Sequence, residues 1–189
     1  MTTAHNLTDD GLPQGLTVNE FLVRSKDQPG RYELHSGSVV AMSPERLGHV
    51  EIKSNVHQAL RNAIKSAGLP CFAVADGIAV HVSETKWYQP DALVYCGERA
   101  DRSVTKIDNP MIVVEVASPS TAGLDTQDKL LGYLALASVH HYLIIEPDGL
   151  PLLHHHRQSA DTFLTRIVGG GNLRLDPPGI EIDVSELFN

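Results

Sequence analysis

Glu115 stands inside Met111-Ile-Val-Val-Glu-Val-Ala117, the most apolar run of the chain. A carboxylate there is costly to bury unless a lysine or metal ion compensates it, or unless its pKa rises until it is neutral. A second acid, Asp91, follows Pro90 where the chain turns into Ala92-Leu-Val-Tyr-Cys96. That places it at a strand entrance, able to sit beside Glu115. Two acids on adjacent strands can chelate Mg²⁺ or Mn²⁺, hard ions that take oxygen ligands and keep several waters. A backbone carbonyl and a substrate phosphate would complete the shell. Lys129 lies four residues after Asp125 and four before Tyr133, on one side of a predicted helix. Facing outward it pairs with Asp125; facing Glu115 it can orient and help deprotonate a water beside the metal.

The elements that must position these groups are legible in outline. Residues 1–16, with Pro13 and Asp-Asp-Gly, read as a flexible leader, and 17–189 as a single domain. Thr17-Val-Asn-Glu20 has the form of a capping box opening a short helix. Arg31–His35 and Ser38–Met42 flank Ser36-Gly37 as a hairpin. From Gly48 to Gly68, Val56, Ala59, Leu60, Ala63, Ile64 and Ala67 recur at three and four, one face of a helix stopped by Gly68. Lys53, His57, Arg61 and Lys65 form a basic stripe on its other side, suited either to solvent or to a phosphate backbone. Strands are expected at 71–75, 78–82, 92–96, 111–117, 142–146, 152–156, 162–168 and 180–182, a helix at 125–136, and a closing turn in Val184–Phe188. Met111–Ala117 reads as a central strand buried on both faces. Strands outnumber helices without regular alternation, so the class is α+β with a mixed, bent sheet flanked by helices.

Composition removes several alternatives. The 189 residues are 42% hydrophobic and 20% charged, which suits one globular domain and excludes disordered and fibrous chains. No apolar run reaches the ~20 residues of a membrane span, and the first residues lack a signal core. A soluble cytoplasmic protein is expected. The formal charge of −8 makes the surface as a whole repel nucleic acid, so any contact with it must be local. Cys71 and Cys96, isolated in apolar runs, read as buried thiols. His154-His155-His156 cannot converge on one ion, because consecutive strand residues point to opposite faces. Gly169-Gly-Gly171 lacks a following helix and lysine and is no phosphate loop.

Taken in order, YELHSGSVVAMSP, GHVEI, QPDALV, PMIVVEVASPST, DTQDKLLGY and VHHYLIIEPD resemble the Uma family of restriction-endonuclease-like proteins, in the PD-(D/E)xK nuclease superfamily. The resemblance covers most of the chain and implies a restriction-endonuclease-like fold. It makes Asp91 the motif aspartate and Glu115 the motif glutamate, with the Val116 carbonyl offered to the metal. Where the superfamily has a strand lysine, two positions after Glu115, this chain has Ala117. Lys129 matches the position to which the Uma-like branch moves that lysine. Glu33 matches a recurrent acidic position that could join the metal, and His49 a recurrent histidine that could contact phosphate.

A metal-dependent nuclease acting on nucleic acid, DNA first, is therefore the leading expectation, with Mg²⁺ or Mn²⁺ as cofactor. Its rival is a catalytically degenerate member of the fold that binds nucleic acid or protein. A metal-assisted hydrolase of another substrate is a third class. A homodimer is expected, because one small acidic subunit offers few phosphate contacts and a duplex has two strands to cut.

Overall fold

The computed structural model describes residues 14–117, 124–149 and 151–189. Thr17 caps α1 (Val18–Ser25) as a capping box: its hydroxyl accepts from the Glu20 N–H, and Glu20 accepts from the Thr17 N–H at 2.9 Å. The described chain begins before this cap. Leu16, read as part of the leader, is buried and donates its N–H to the Gly37 carbonyl at 2.9 Å; residues 1–13 lie outside the described residues.

β1 (Tyr32–His35) and β2 (Ser38–Ala41) form the expected hairpin. Ser36 and Gly37 both take positive φ, 48° and 83°, as a two-residue turn matched to strand twist requires. α2 (Leu47–Ala67) ends at Gly68, whose left-handed φ of 64° lets its N–H reach the Ile64 and Lys65 carbonyls. Then come β3 (Cys71–Ala75), β4 (Ala79–Ser83), β5 (Lys86–Tyr88), β6 (Ala92–Cys96), β7 (Lys106–Ile107) and β8 (Ile112–Val116). α3 (Leu124–Ala135) leads to β9 (His141–Ile145), β10 (Leu152–Arg157), β11 (Phe163–Val168), β12 (Asn172–Leu175) and β13 (Ile180–Asp183), and a 3₁₀ turn, Val184–Phe188, follows.

The architecture is α+β with mixed sheets flanked by helices, as expected, and the strands divide between sheets. The larger has six strands in the order β11-β10-β9-β8-β6-β3, and the second five, β2-β1-β5-β4-β7. β12 and β13 pair separately. In the six-stranded sheet only β8 and β9 are parallel, and α3 is carried in their connection. A parallel pair needs such a crossover, which lays the helix over the strand it follows.

β8 is covered on both faces. Ile112, Val114 and Val116 join Val56 and Leu60 of α2 in one core, while Val113 joins Tyr88, Tyr133 and Tyr142 in another. Its sequence can therefore be apolar without alternation. α3 approaches the five-stranded sheet at Gly132, where a Cβ would lie 2.7 Å from the Tyr88 ring. Gly132→Ala is expected to cost about 1–3 kcal/mol by overpacking and to displace α3, read as a drop in Tm.

The cysteine reading is revised. Cys71 and Cys96 are not free thiols: they are cross-strand partners on β3 and β6, joined as a disulfide. Their separation of 25 residues gave no local sign of this pairing. The histidine run does alternate, but β9 adds a neighbour. His154 and His156 stack with His141, and His155 stacks on Tyr142. His154 Nε2 lies 2.9 Å from His141 Nδ1, and His141 Nε2 donates to the Pro177 carbonyl at 2.9 Å. Burial, with the neighbouring histidines, pushes His141 down to about 3 and His154 to about 4. Both are neutral in the fold, whereas the unfolded chain takes up their protons below about 6.5. Stability should thus fall as pH drops from 6.5 towards 4, and a His141→Asn/His154→Asn variant should show a shallower fall in acid denaturation.

Candidate active site

Asp91 sits one residue before β6, and the β6–β8 register (Ala92 opposite Val114) brings it next to Glu115. Its backbone N–H donates to the Val114 carbonyl at 3.1 Å. Its Oδ2 accepts the Val116 N–H at 2.7 Å, and its Oδ1 lies 2.8 Å from Lys53 Nζ. The carboxylate is thereby fixed by the Val116 N–H and Lys53, with His49 Nε2 3.9 Å from Oδ2.

Glu115 points to the α3 side of β8. Lys129, one turn inside α3, reaches both of its oxygens at 3.1 Å, and the Tyr133 hydroxyl donates to Oε1 at 2.9 Å. The same ammonium lies 3.0 Å from Oε1 of Glu33, on β1 of the other sheet. Glu33 also accepts the Gln89 N–H at 2.6 Å and a ring N–H of His35 at 2.8 Å. Three elements therefore converge on Lys129.

Burial strongly shapes the ionisation of this group. It pushes Glu115 up to about 8, with Asp91 and Glu33 adding repulsion that Lys129 and Tyr133 only partly offset. Burial works the same way on Glu33, but there Lys129, His35 and the Gln89 amide outweigh it and hold the carboxyl below the usual range. Lys129 is buried too, yet Glu115 and Glu33 keep it firmly protonated.

On the α2 side, Lys53 is buried rather than part of an outward stripe. Its position three before Val56 and seven before Leu60 puts it on the apolar face of the helix. Its ammonium pairs with Glu45 at 2.7 Å, with Asp91, and with Asp76, which Arg31 grips with two guanidinium nitrogens. Lys53 is thus no phosphate contact, and the expected stripe is broken. Only Arg61 and Lys65 of the proposed nucleic-acid residues on α2 are exposed, and with Phe72, Tyr95 and Arg99 they line a groove along the outer edge of β3. His49 donates from Nε2 to the Val116 carbonyl at 2.7 Å, with Nδ1 3.5 Å from Glu45. It faces the acids and the very carbonyl expected to serve a metal.

Of the expected residues, Lys129 joins Glu115 and Glu33 in one contact, while Asp91 is tied to the Val116 N–H and to Lys53. The side chain of Asp125 lies outside the described residues. Sequence reasoning missed Tyr133 as a Glu115 partner, although its spacing from Lys129 carried the signal, and it missed Glu45, Asp76 and Arg31 altogether. Among the described residues, the three carboxylates whose oxygens come within 4.8 Å of one another are Glu45, Asp76 and Asp91.

Residues 18–185 match the family Uma2, described as "Putative restriction endonuclease". The chain belongs to the Uma2 family. Two Synechocystis proteins are similar throughout: uncharacterized protein slr1290 is 25% identical over 175 residues, 92% of this chain and 91% of its own length. Uncharacterized protein sll1609 is 24% identical over 163 residues, 85% and 92%. A crystal structure from Anabaena variabilis, titled a putative nuclease belonging to DUF820, superposes with a TM-score of 0.73 over 92% of this chain and 98% of its own, at 16% identity. That likeness fixes the fold, and the nuclease character of this chain rests on Uma2 membership.

Proposed function

We propose that this protein is a divalent-metal-dependent nuclease that hydrolyses phosphodiester bonds, DNA first, through Asp91, Glu115 and Lys129. The carrying observation is the single Lys129 ammonium shared by Glu115 and Glu33 beside Asp91. The donors fit Mg²⁺ or Mn²⁺: they are all oxygen, and Glu115 carries raised affinity for a positive charge, here a proton. Asp91 and Glu115 would hold the ion, with the Val116 carbonyl and Glu33 within the same group. When bound, the ion polarises the scissile phosphate and lowers the pKa of a coordinated water. Because Glu115 and Glu33 keep Lys129 charged, its part is to donate to and orient the attacking water and to offset charge on the phosphate, not to take up the proton. Arg61 and Lys65 would meet backbone phosphates at the β3 edge.

A rival reading, a nucleic-acid- or protein-binding module with an inert site, is favoured by the partners Asp91 and the Val116 carbonyl already have in Lys53 and His49. Metal titration by calorimetry beside plasmid nicking separates the two. Saturable, metal-dependent nicking supports the nuclease; metal binding without nicking favours the module; neither binding nor nicking overturns the metal site.

The reading extends to a cytoplasmic homodimer. β11 is the outermost strand of its sheet and exposes Leu164 and Ile167, the latter at 73%. Unpaired strand edges with apolar side chains favour association. Light scattering at micromolar concentration should give about twice the 20.5 kDa chain mass; a value near one chain would overturn the dimer.

A further inference from the structure

Lys53 has no assigned part in this chemistry, yet it is as deeply built into the acidic end of β8 as Lys129. Its three ammonium hydrogens face three carboxylates: Glu45 Oε1 at 2.7 Å, Asp91 Oδ1 at 2.8 Å and Asp76 Oδ2 closer still. The side chain is 7% exposed, and the α2 backbone and the Arg31 clamp on Asp76 leave the group little freedom to separate. A point charge surrounded by three oxygens is the arrangement that a small cation would otherwise take. The three carboxylates come within 4.8 Å of one another, about twice a metal–oxygen bond. Asp91 belongs to both groups: one oxygen serves Lys53, while the residue stands beside Glu115.

The charge count around this end of the sheet points the same way. Once metal has displaced the proton of Glu115, five carboxylates, Glu33, Glu45, Asp76, Asp91 and Glu115, face three fixed cations, Arg31, Lys53 and Lys129. Two negative charges are left, which one divalent ion neutralises and two would overshoot. Buried charge of one sign is unfavourable in either direction.

We infer that Lys53 is a resident cation that fills the Glu45–Asp76–Asp91 cluster in place of a second metal ion, so that the protein takes one divalent ion, beside Asp91 and Glu115, and not two. Lys53 is in this sense a positioning residue: it holds Asp91 and sets the metal stoichiometry, and it touches no reacting atom. The inference rests on the reading of Asp91 and Glu115 as metal ligands, and the experiment separates the failure of one from the failure of the other.

The test is Mn²⁺ stoichiometry by calorimetry, with electron paramagnetic resonance to detect spin coupling between neighbouring ions, on wild type, Lys53→Gln, Lys53→Arg and Lys53→Gln/Glu45→Gln. The expected result is one ion in wild type and Lys53→Arg, two coupled ions in Lys53→Gln, and one again in the double variant, which restores the cluster's net charge. Should Lys53→Gln fail to fold without metal, the expected result is rescue of its folding by Mn²⁺ while the double variant folds without it. No rescue, or an unfolded double variant, overturns the inference. So do two ions in wild type, or one ion in wild type and still only one in folded Lys53→Gln. No ion in wild type but one in Lys53→Gln overturns the Asp91–Glu115 metal site and upholds the role of Lys53, whereas none in either overturns both.

Discussion

Asp91→Asn and Glu115→Gln are each expected to abolish metal-dependent cleavage and to weaken Mg²⁺ or Mn²⁺ binding by at least about tenfold, as loss of one charged oxygen ligand from so small a set requires. Asparagine is the informative choice at position 91. Its carbonyl oxygen can still accept the Val116 N–H, whereas alanine would strand that buried donor at a cost of about 1–3 kcal/mol. Glu115 adds a pH signature. Its folded pKa, about 8, lies above the ordinary carboxylate value, so the fold favours the protonated form. Stability contributed by this group is full below about 4.5 and is lost as pH rises to about 8. Metal must displace that proton, so affinity should fall about tenfold per unit as pH drops below about 8. In Glu115→Gln the slope should flatten. Calorimetry across pH 6–9 reads both effects, and unchanged affinity in both variants would remove these residues from the metal site.

Lys129→Met should lower cleavage by more than about tenfold at saturating metal while leaving metal affinity close to that of wild type, because its assigned task is the water and not the ion. Methionine keeps the length of the buried stem but removes the cation common to Glu115 and Glu33. The metal-free variant should therefore melt lower, since each acid loses its buried counter-charge. Bound metal should raise its Tm by about as much as it raises that of wild type, as nearly equal affinity requires. Single-turnover nicking with saturating Mg²⁺, beside melting curves with and without metal, separates chemistry from folding. Wild-type cleavage would return Lys129 to a purely structural ion pair.

What sequence alone could reach follows from the range of the interactions involved. α2, the Ser36-Gly37 hairpin and β8 are written in local periodicity and turn chemistry, and each lies within a few residues of its expected bounds. β5, β7 and β12 are two to four residues long and take their form from neighbours rather than from pattern, so they were not expected. At the site, Glu115 was conspicuous because its type contradicts its surroundings. Lys53 contradicted its surroundings equally, on the Val56–Leu60 face, but a lysine in a run of basic residues at spacing four invites a surface reading. Asp76 and Glu45 are ordinary loop acids until α2 brings Lys53 between them. The Cys71–Cys96 bond likewise depends on a strand pairing with no local mark.

Lys129 joins Glu33, from the five-stranded sheet, to Glu115, from the six-stranded one. The proposed chemistry and the seam between the two sheets thus share one contact. Separation of the sheets by even a few ångströms would divide the acids from their common cation while leaving every strand and helix intact. If this contact serves catalysis as proposed, competence belongs to the docked pair and to neither layer alone, and along a denaturant series cleavage should disappear before the circular dichroism of the strands begins to change.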